Sequence, residues 1–484
     1  MPLEGNTPEL STITIQPVAK PTMIRFLKEN YDRLLFFFAL LFMAFGYGVA
    51  TVTFEIFPYS VLKAARASLE AVQSITIDVK PEIAVRFDLP ETEGYTRPTV
   101  SSFSKKQGQE LILVGAVTFG QLPEHCPEYG CIAWLMDRDG EIKYTWKYSP
   151  ELWADVTKIS GSFLGDNFYP IAFHLFDNGD LLVSFQGKDS WPYGVGMARF
   201  DKHSKLLWKQ EILTHHWFSV DAAGRIHTPS FEIVESPVAI GKTSTDIECE
   251  QVRFSISTIK ILGPDGEIEE EIPILDAFAD SGYEGVLFSP GENLLEVHSC
   301  DPFHLNDVRL LPPEMADNYP GLEAGDLLLS LRSINGVAVY SPKHQKMQWV
   351  SVGTTIKQHA PRFDGEGGIY IFDNLGGDKE IAKGTRIVRL DLESRVQKTI
   401  FPRPGVTLPG KGRGHAAHSG HIELSRDGKR LLAAYTGQGV LWEIDIESAE
   451  VLWEFINTHP FQDRASRLSI YTAKYVYPEQ FPFR

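Results

Sequence analysis

Residues 325–349 read GDLLLSLRSINGVAVYSPKHQKMQW and contain the pattern that organises most of this 484-residue chain. A Gly-Asp turn leads into one apolar run, and a strand-like run, a turn and a run ending in Trp349 follow. Short runs of this kind, bounded by turn residues, are typical of antiparallel strands joined by hairpins. The stretch therefore predicts adjacent strands of one small sheet.

Both parts of this pattern recur along the chain. The first part, a turn followed by a strand, is repeated in DNGDLLVSF from Asp177, DAAGRIHTP from Asp221, GEGGIYIFDN from Gly365 and DGKRLLAAY from Asp427. The second part, a strand, a turn and a strand with tryptophan, is repeated in segments that end at Trp146, Trp208 and Trp453. Each pair of parts supplies a four-stranded unit, and units of ~40–50 residues stacked radially form a β-propeller.

We therefore predict an all-β fold, a six-bladed β-propeller within residues 100–460. The predicted blades are residues 110–148, 170–212, 216–262, 300–352, 355–400 and 417–456. The stretch between the third and fourth blades is less regular, so five to seven blades fit the pattern. A set of β-sandwiches is the alternative, but the repeated spacing from turn to tryptophan favours one array.

An apolar segment, LLFFFALLFMAFGYGVATVTF, occupies residues 34–54, and no charged residue lies between Arg33 and Glu55. At 1.5 Å rise per residue it would cover about 30 Å as a helix, the thickness of the hydrocarbon core of a bilayer. A cleaved signal peptide is the competing interpretation, but its apolar core usually has only ~7–15 residues. We predict an uncleaved transmembrane helix.

The flanks of this helix predict its orientation. Basic residues precede it, at Lys20, Arg25, Lys28 and Arg33. By the positive-inside tendency, residues 1–33 form a cytoplasmic arm and the rest of the chain is exported. We expect a stalk and lead-in over residues 55–99, with a short helix at 60–73, and a C-terminal closing segment over residues 461–484. The predicted location is the inner (plasma) membrane, with a periplasmic propeller.

The charge of the chain excludes one class of partner. Lys and Arg number 46 and Asp and Glu number 63, so the formal net charge is −17. A nucleic-acid-binding surface needs clustered basic residues, so we predict no nucleic-acid partner, while a small local anion site stays compatible. The sequence also contains no GxxxxGK[ST] phosphate loop and no GxSxG nucleophile elbow. We predict no cofactor.

Four cysteines lie in the part of the chain predicted to be exported, where disulfides form. Cys126 and Cys131 bracket a turn-like Pro-Glu-Tyr-Gly segment, and we predict a disulfide between them. A bridge between Cys249 and Cys300 is a further hypothesis. A zinc site and buried free thiols are the alternatives.

Histidines recur ahead of the turn-to-strand part in four predicted blades: His174, His216, His359, and the pair His418 and His421. His304, in DPFHLND, stands further ahead of its own turn. Propellers bind ligands at the central channel, where the inner strands of all blades converge, so a functional set should recur once per blade. We therefore predict a histidine cluster at the channel.

Several motifs resemble those of the bacterial arylsulfate sulfotransferases. They are DPFHLNDV at 301–308, GDLLLSLRSINGVAVY at 325–340, QHAPRF at 358–363, IYIFDN at 369–374, HSGHIEL at 418–424 and HCPEYGCIAWLMDRDGEI at 125–142. The resemblance covers about residues 100–460. It implies a six-bladed periplasmic propeller that moves a sulfuryl group from a phenolic sulfate to another phenol without a nucleotide donor. It also implies that a channel histidine becomes transiently sulfated, with further histidines and an arginine around the sulfuryl group.

The residues suit that chemistry, because neutral imidazole can attack sulfur, imidazolium can protonate a phenolate and guanidinium can bind sulfuryl oxygens. His304 and His359 match the two histidine motifs, and we assign them acid/base and sulfuryl-oxygen roles. Arg332 is the predicted oxyanion partner, with a structural salt bridge as the alternative. The predicted substrate-binding residues are His216, Asn306, Asn374 and Arg386. Arg386 comes later in the chain than the position of the family's second arginine, so the resemblance does not extend to the complete set of sulfate-binding residues.

The nucleophile is predicted in the last blade, where GHAAHSGH at 414–421 offers three histidines. We favour His418 or His421, which stand closest to the following strand. The HxxH spacing leaves a metal site as an alternative, but Glu423 is the carboxylate near it, and we predict no metal.

Two functions follow from these residues. The first is a membrane-anchored sulfotransferase that uses a small-molecule aryl sulfate donor and an acceptor hydroxyl, through a sulfohistidine. The second is a noncatalytic propeller that binds an envelope protein or a glycan.

Overall fold

A computed structural model describes residues 30–54, 56–58, 99–116, 122, 124–159, 168–187, 190–241, 246–247, 253–288, 300–410, 414–461 and 464–481. The chain divides into two compact units, residues 1–77 and residues 78–484.

The first unit contains helix α1 at Tyr31–Thr53, close to the predicted apolar segment. Large apolar side chains such as Phe38 and Phe42 are exposed along it, which is typical of a helix that contacts lipid. Among the described residues it is the one helix long and apolar enough to cross a membrane, over Tyr31–Thr51. The predicted stalk helix at 60–73 and residues 1–29 of the predicted arm lie outside the described residues.

The described part of the second unit forms six antiparallel sheets, which confirms the predicted six-bladed propeller. From the inner strand outwards, the first blade has β29 (Ile470–Val476), β2 (Leu111–Ala116), β3 (Cys131–Met136) and β4 (Ile142–Lys147). The second has β5 (Phe168–Leu175), β6 (Leu181–Gly187), β7 (Gly194–Phe200) and β8 (Leu206–Gln210). The third has β9 (Ser219–Val220), β10 (Ile226–Glu235), β13 (Arg253–Leu262) and β14 (Ile268–Pro273).

The remaining blades follow the same order. The fourth has β15 (Leu305–Leu310), β16 (Leu327–Leu331), β17 (Gly336–Ser341) and β18 (Lys346–Val352). The fifth has β19 (His359–Phe363), β20 (Gly368–Asp373), β21 (Arg386–Asp391) and β22 (Gln397–Phe401). The sixth has β23 (His421–Leu424), β24 (Arg430–Tyr435), β25 (Val440–Asp445) and β26 (Val451–Ile456), with β1 (Val100–Ser102) as a fifth, outermost strand.

Short elements decorate the blades. Two hairpins are formed by β11 (Val238–Ala239) with β12 (Asp246–Ile247) and by β27 (Thr458–Phe461) with β28 (Arg464–Arg467). The short helices are α2 (Ile274–Ala279) and α3 (Pro313–Ala316). Turns of 3₁₀-helix lie at Pro150–Trp153, Glu284–Phe288, Ala382–Gly384, Thr436–Gln438 and Pro478–Gln480.

The ring is closed by strands exchanged between the first and last blades. Strand β29 pairs with β2, placing Lys474 opposite Leu113, and strand β1 pairs with β26, placing Val100 opposite Phe455. Each of these blades therefore combines strands from both ends of the propeller sequence. Main-chain hydrogen bonds hold the closure in place of a covalent link.

The hydrophobic core is divided into six clusters, each between two neighbouring blades. Trp146 and Phe185 meet between the first and second blades, and Trp134 and Trp453 meet between the first and the sixth. Each sheet thus buries both faces against its neighbours, which explains how the blades fold without a covering layer of helices.

The repeated tryptophans have a structural role. Each indole N–H donates to a carbonyl in a turn of the next blade: Trp146 to Gly179 (3.2 Å), Trp208 to Pro264 (3.2 Å), Trp349 to Leu392 (3.0 Å) and Trp453 to Arg138 (2.8 Å). A buried indole N–H needs such a partner. The pattern seen in the sequence therefore marks the contacts that join successive blades.

The predicted Cys126–Cys131 disulfide is confirmed, with the two Cα atoms 5.5 Å apart. Cys300 is also disulfide-bonded. Its hypothesised partner, Cys249, lies outside the described residues.

Candidate active site

The histidines gather at the end of the central channel where the inner strands begin. His216 precedes β9, His304 immediately precedes β15, and His359 is the first residue of β19. The ring centroid of His216 lies 5.2 Å from that of His304 and 6.2 Å from that of His359. These three residues, from three blades, are named the histidine cluster below.

A left-handed backbone turn introduces four of the inner strands. The φ angle is +58° at His216 and +49° at His304, and the starts of β19 and β23 show +50° at Ala360 and +55° at Ser419. Non-glycine residues rarely adopt this conformation, which costs on the order of 1–3 kcal/mol per residue. Its recurrence in successive blades explains why the histidines occupy corresponding positions in the repeat.

The proton position on His359 follows from its contact with Asn374. Both amide N–H groups of Asn374 are used, because Nδ2 donates to the carbonyls of Ala416 (2.7 Å) and Ser419 (2.6 Å). Its Oδ1 must therefore accept the Nδ1–H of His359 at 2.7 Å. Burial, and then the charge of Arg332, hold the pKa of His359 well below its usual value. His359 is thus neutral, with an Nε2 lone pair that this bond leaves free.

His216 has the opposite tautomer. Tyr169 donates its hydroxyl to Oε1 of Gln186 (3.0 Å), which turns the Gln186 amide nitrogen towards Nδ1 of His216 (3.0 Å). Nδ1 of His216 therefore accepts, and the ring proton resides on Nε2. Burial, and then the neighbouring His215 ring, hold the pKa of His216 well below its usual value. His216 is therefore a neutral hydrogen-bond donor.

His304 is bound to a carboxylate. Its Nδ1 lies 2.7 Å from Oδ2 of Asp301, and its backbone N–H donates to Oδ1 of the same residue at 3.0 Å. The Tyr193 hydroxyl donates to Asp301 as well (3.2 Å). Burial acts to raise the pKa of Asp301, but the His304 ring and these hydrogen bonds outweigh it and hold the pKa below its usual value. Asp301 therefore stays ionised, and its carboxylate accepts the Nδ1–H of the His304 ring.

Arg332 adds a positive charge beside the cluster. It directly follows β16, its backbone N–H donates to the His304 carbonyl at 3.1 Å, and its side chain is partly exposed. Its charge contributes to the lowered pKa of both His216 and His359. The guanidinium is therefore close enough to His216 and His359 to lower the pKa of each.

Trp217 lies next to the histidine cluster in the channel. Its ring centroid lies 5.9 Å from that of His359 and 5.7 Å from that of His421. Its indole N–H donates to Thr472 of β29 at 2.8 Å. The buried Trp217 ring therefore stands between the histidine cluster and the deeper part of the channel.

The two predicted nucleophiles lie apart from the cluster. His421 is buried beyond Trp217, and its Nε2 accepts a hydrogen bond from the Arg362 guanidinium at 2.7 Å. The lone pair that would attack sulfur is therefore occupied. His418 is exposed and has a partner of its own. The neighbouring His415 lies near Thr385.

The predicted substrate-binding residues divide into two groups. His216 and Asn374 belong to the cluster and its support, as described above. Asn306 is fully buried and donates to the Gln358 carbonyl (2.9 Å), so it fixes the backbone just before His359. Arg386 instead forms an ion pair with Asp373 at 2.8 Å within the fifth blade, and this ion pair accounts for its position.

Sequence reasoning did not assign roles to Asp301, Tyr193 or Gln186. The Asp-x-x-His spacing in DPFH is a signal for the first, because it lets a side chain reach both the backbone and the ring of the residue three positions on. Tyr193 and Gln186 come from the second blade and have no comparable local signal. His215 bonds Nδ1 of His216 (2.8 Å) and packs on Phe231.

Within the described ranges, no group of three or more His, Cys, Asp and Glu side chains is arranged to hold a metal ion. The HxxH segment of the last blade does not form such a group, because His421 is bound to Arg362 and His418 is exposed.

Comparison with known proteins gives one family match. The family model described as arylsulfotransferase (ASST) matches residues 172–457, more than half of the chain. No curated protein sequence matches it. Solved structures that this chain matches include a protein of unknown function from Bacteroides caccae, with 13% identity and a TM-score of 0.42 over 76% of this chain and 99% of that one. A putative 6-phosphogluconolactonase from Bacteroides uniformis has 11% identity and a TM-score of 0.37 over 76% and 100%.

Proposed function

Because the chain belongs to the arylsulfotransferase (ASST) family, we propose that it transfers a sulfuryl group from a phenolic sulfate ester to an acceptor hydroxyl, with His359 as the residue that carries the group. The observation that carries the proposal is the tautomer of His359, whose Nδ1–H is held by Asn374 while Nε2 keeps its lone pair. This choice replaces His418 and His421, which are exposed and bound to Arg362, respectively.

In the first half-reaction, Nε2 of His359 attacks sulfur and the bond between sulfur and the phenolic oxygen breaks. The leaving phenolate takes the Nε2 proton of His304, whose protonated form Asp301 stabilises. The Nε2–H of His216 and the Arg332 guanidinium face the nonbridging oxygens, where negative charge is held during transfer. The sulfated imidazole of His359 keeps its Nδ1 proton and its bond to Asn374.

In the second half-reaction, the acceptor hydroxyl gives its proton to the now neutral His304, and its oxygen attacks sulfur. The bond between sulfur and Nε2 of His359 breaks, which restores the neutral histidine and the protonated His304. One residue thus acts as acid and then as base, and a ping-pong scheme follows. No nucleotide donor takes part.

We also propose that the enzyme works in the periplasm, held at the inner membrane by α1 with its N-terminus in the cytoplasm. The length and composition of α1 support the anchor, and the basic residues before it support the orientation. The Cys126–Cys131 disulfide suits an oxidising compartment. The substrates are then small molecules outside the cytoplasm.

A burst experiment tests the covalent intermediate. The full-length protein in detergent is mixed with an aryl sulfate whose free phenol is coloured, without acceptor. We expect one phenol per active chain to be released rapidly, and a sulfuryl adduct on the peptide that contains His359. Adding a phenol acceptor should then yield its sulfate ester and remove the adduct.

The outcomes separate the enzyme from the noncatalytic propeller. An adduct on His421 or His418 would overturn the assignment to His359, but the proposed transfer reaction would still stand. No phenol release across several aryl sulfates, from a folded protein, would overturn the reaction itself and favour a propeller that binds an envelope protein or glycan.

A further inference from the structure

Beyond Trp217, the channel is lined by charged rather than neutral side chains. Alternate residues of a strand point to the same side, so residues two positions after those that surround Trp217 face the channel one step further on. Lys474 comes two positions after Thr472, which bonds Trp217, and Glu423 comes two positions after His421. In β15, Asp307 is followed in the same way by Arg309.

These residues, with Arg362, form what we name the charged cluster: Asp307, Arg309, Arg362, Glu423 and Lys474. Asp307 is fully buried between two guanidinium groups, at 2.7 Å from Nε of Arg309 and 2.9 Å from Nη1 of Arg362. Glu423 lies 3.7 Å from Nε of Arg362. They come from four of the six inner strands, so the cluster lies along the channel.

The cluster carries more positive than negative charge. Three cations, Arg309, Arg362 and Lys474, face the two carboxylates Asp307 and Glu423, and 3 − 2 leaves one positive charge. The nearby histidines do not change the balance. Burial, and then Arg362, hold the pKa of His421 well below its usual value, and burial, and then Lys474, lower that of His174 to about 3.

Two cationic groups of the cluster have hydrogen-bonding capacity to spare. The Lys474 ammonium is partly buried and has no hydrogen-bond or ion-pair partner among the residues that the structure describes. Nε of Arg362 is buried without a hydrogen bond in that same part of the chain. Donors left unpaired away from water are costly, and an unbalanced charge more so. An anion between them would satisfy both.

The electrostatics agree with this geometry. Burial lowers the pKa of Lys474 to about 8 against the partial opposition of Glu423, and Arg309 and Arg362 lower it further. Burial, and then Arg362, lower the pKa of Arg309 to about 10. Both shifts have the direction that burial gives to the pKa of a cation when neighbouring carboxylates do not fully compensate for it.

We propose that the charged cluster is a second anion site, which binds a small inorganic oxyanion such as sulfate or phosphate between Lys474 and Arg362. Ammonium and guanidinium N–H groups are the donors that such oxyanions prefer. The site is separated from the histidine cluster by Trp217 and does not require the transfer reaction. It therefore stands or falls independently of the proposed function.

Equilibrium dialysis with radiolabelled sulfate tests the site on the full-length protein in detergent. The parent should bind sulfate at two sites, the histidine cluster and the charged cluster. Lys474→Met should lose one of them, and Arg332→Met should lose the other. Lys398→Met, an exposed lysine on β22, is the matched control and should bind like the parent.

Two further arms make the result decisive. Glu423→Gln adds to the net positive charge and should tighten the second site severalfold, which keeps the proposal testable if Lys474→Met does not fold. Unlabelled phosphate should displace sulfate from the site remaining in Arg332→Met. Identical isotherms for the parent, Lys474→Met and Glu423→Gln would overturn the proposal, and displacement by chloride but not by phosphate would overturn the oxyanion assignment.

Discussion

The two ends of the central channel hold polar groups of different kinds. In the histidine cluster, His216 and His359 are buried with their pKa values well below the usual range, and buried amides fix the tautomer of each. In the charged cluster, the guanidinium groups of Arg309 and Arg362 flank the carboxylate of Asp307. A neutral imidazole with an open lone pair can attack sulfur, whereas guanidinium and ammonium groups act on an anion through charge and hydrogen bonds. We therefore propose that one end carries out the chemistry and that the other end binds an anion.

The largest expected effect comes from removing the proposed nucleophile. His359→Ala should lower kcat for aryl sulfate turnover by about 10³-fold or more, because it removes the nitrogen that attacks sulfur. Steady-state release of a coloured phenol measures this. His418→Ala, the exposed histidine, serves as the control and should keep the parental rate. Equal losses in the two variants would contradict the assignment of chemistry to the histidine cluster.

The acid at the same end is tested through the leaving group. Asp301→Asn should weaken the protonated form of His304 and slow release of poorly acidic phenols by about 10²-fold. Strongly acidic phenols leave without a proton, so their release should change much less. Rates across a series of aryl sulfates give this dependence. Asp180→Asn, a buried carboxylate paired with Arg199, should leave the slope unaltered, and a parental slope in Asp301→Asn would remove His304 from the role of acid.

The charged end should show its effect in stability and pH. The folded pKa of Lys474 is about 8, below its usual value of 10.5, so the unfolded chain binds the proton more tightly. The buried charge of Lys474 therefore lowers the free energy of unfolding by its full amount below pH 8, and this loss disappears as the pH rises towards 10.5. In sulfate-free buffer, Lys474→Met should therefore raise the free energy of unfolding by about 2 kcal/mol at pH 7.

Denaturant titrations at pH 7 and pH 10 measure that gain. It should shrink at the higher pH, because the buried Lys474 loses its proton as the pH rises above about 8. Lys398→Met supplies the baseline for a lysine with an exposed side chain. A gain that is the same at both pH values would mean that packing, and not charge, is responsible.

The smallest expected effect concerns the support of His216. Gln186→Leu removes the amide that fixes its tautomer, so Nε2–H would point at the sulfuryl oxygens only part of the time. We expect kcat/KM to fall about tenfold. Kinetics with a single aryl sulfate measure it, and Gln397→Leu on the outer strand β22 is the control. An unchanged kcat/KM would show that the tautomer of His216 does not matter.

The fold was readable from the sequence because its signals are local and repeated. The same turn followed by a strand recurs in five blades, and the indole N–H groups of Trp146, Trp208, Trp349 and Trp453 bond neighbouring blades. The membrane segment was readable for a similar reason, since a run of apolar residues needs no partner to be recognised.

The candidate site was readable only in part. The position of His216 and His359 in the repeat identified these two residues. The family motifs identified His304 and Arg332. Spacing could not rank His359 against His421, because the ranking depends on which ring nitrogen is occupied. Asn374 and Arg362 decide that question, and each acts across a long stretch of chain or between blades. The charged cluster was not foreseen, since its members lie on four strands and each alone resembles an ordinary strand residue.

Strand β29 has a consequence for how the protein is made. It lies beyond residues 172–457, yet it supplies the inner strand of the first blade, the Thr472 that holds Trp217, and Lys474. During synthesis from the N-terminus, five blades can assemble before this strand exists, but the ring cannot close around its channel. Both ends of the channel therefore become complete in the last step of folding, and a chain truncated after the sixth blade would keep most of its core and lose both sites together.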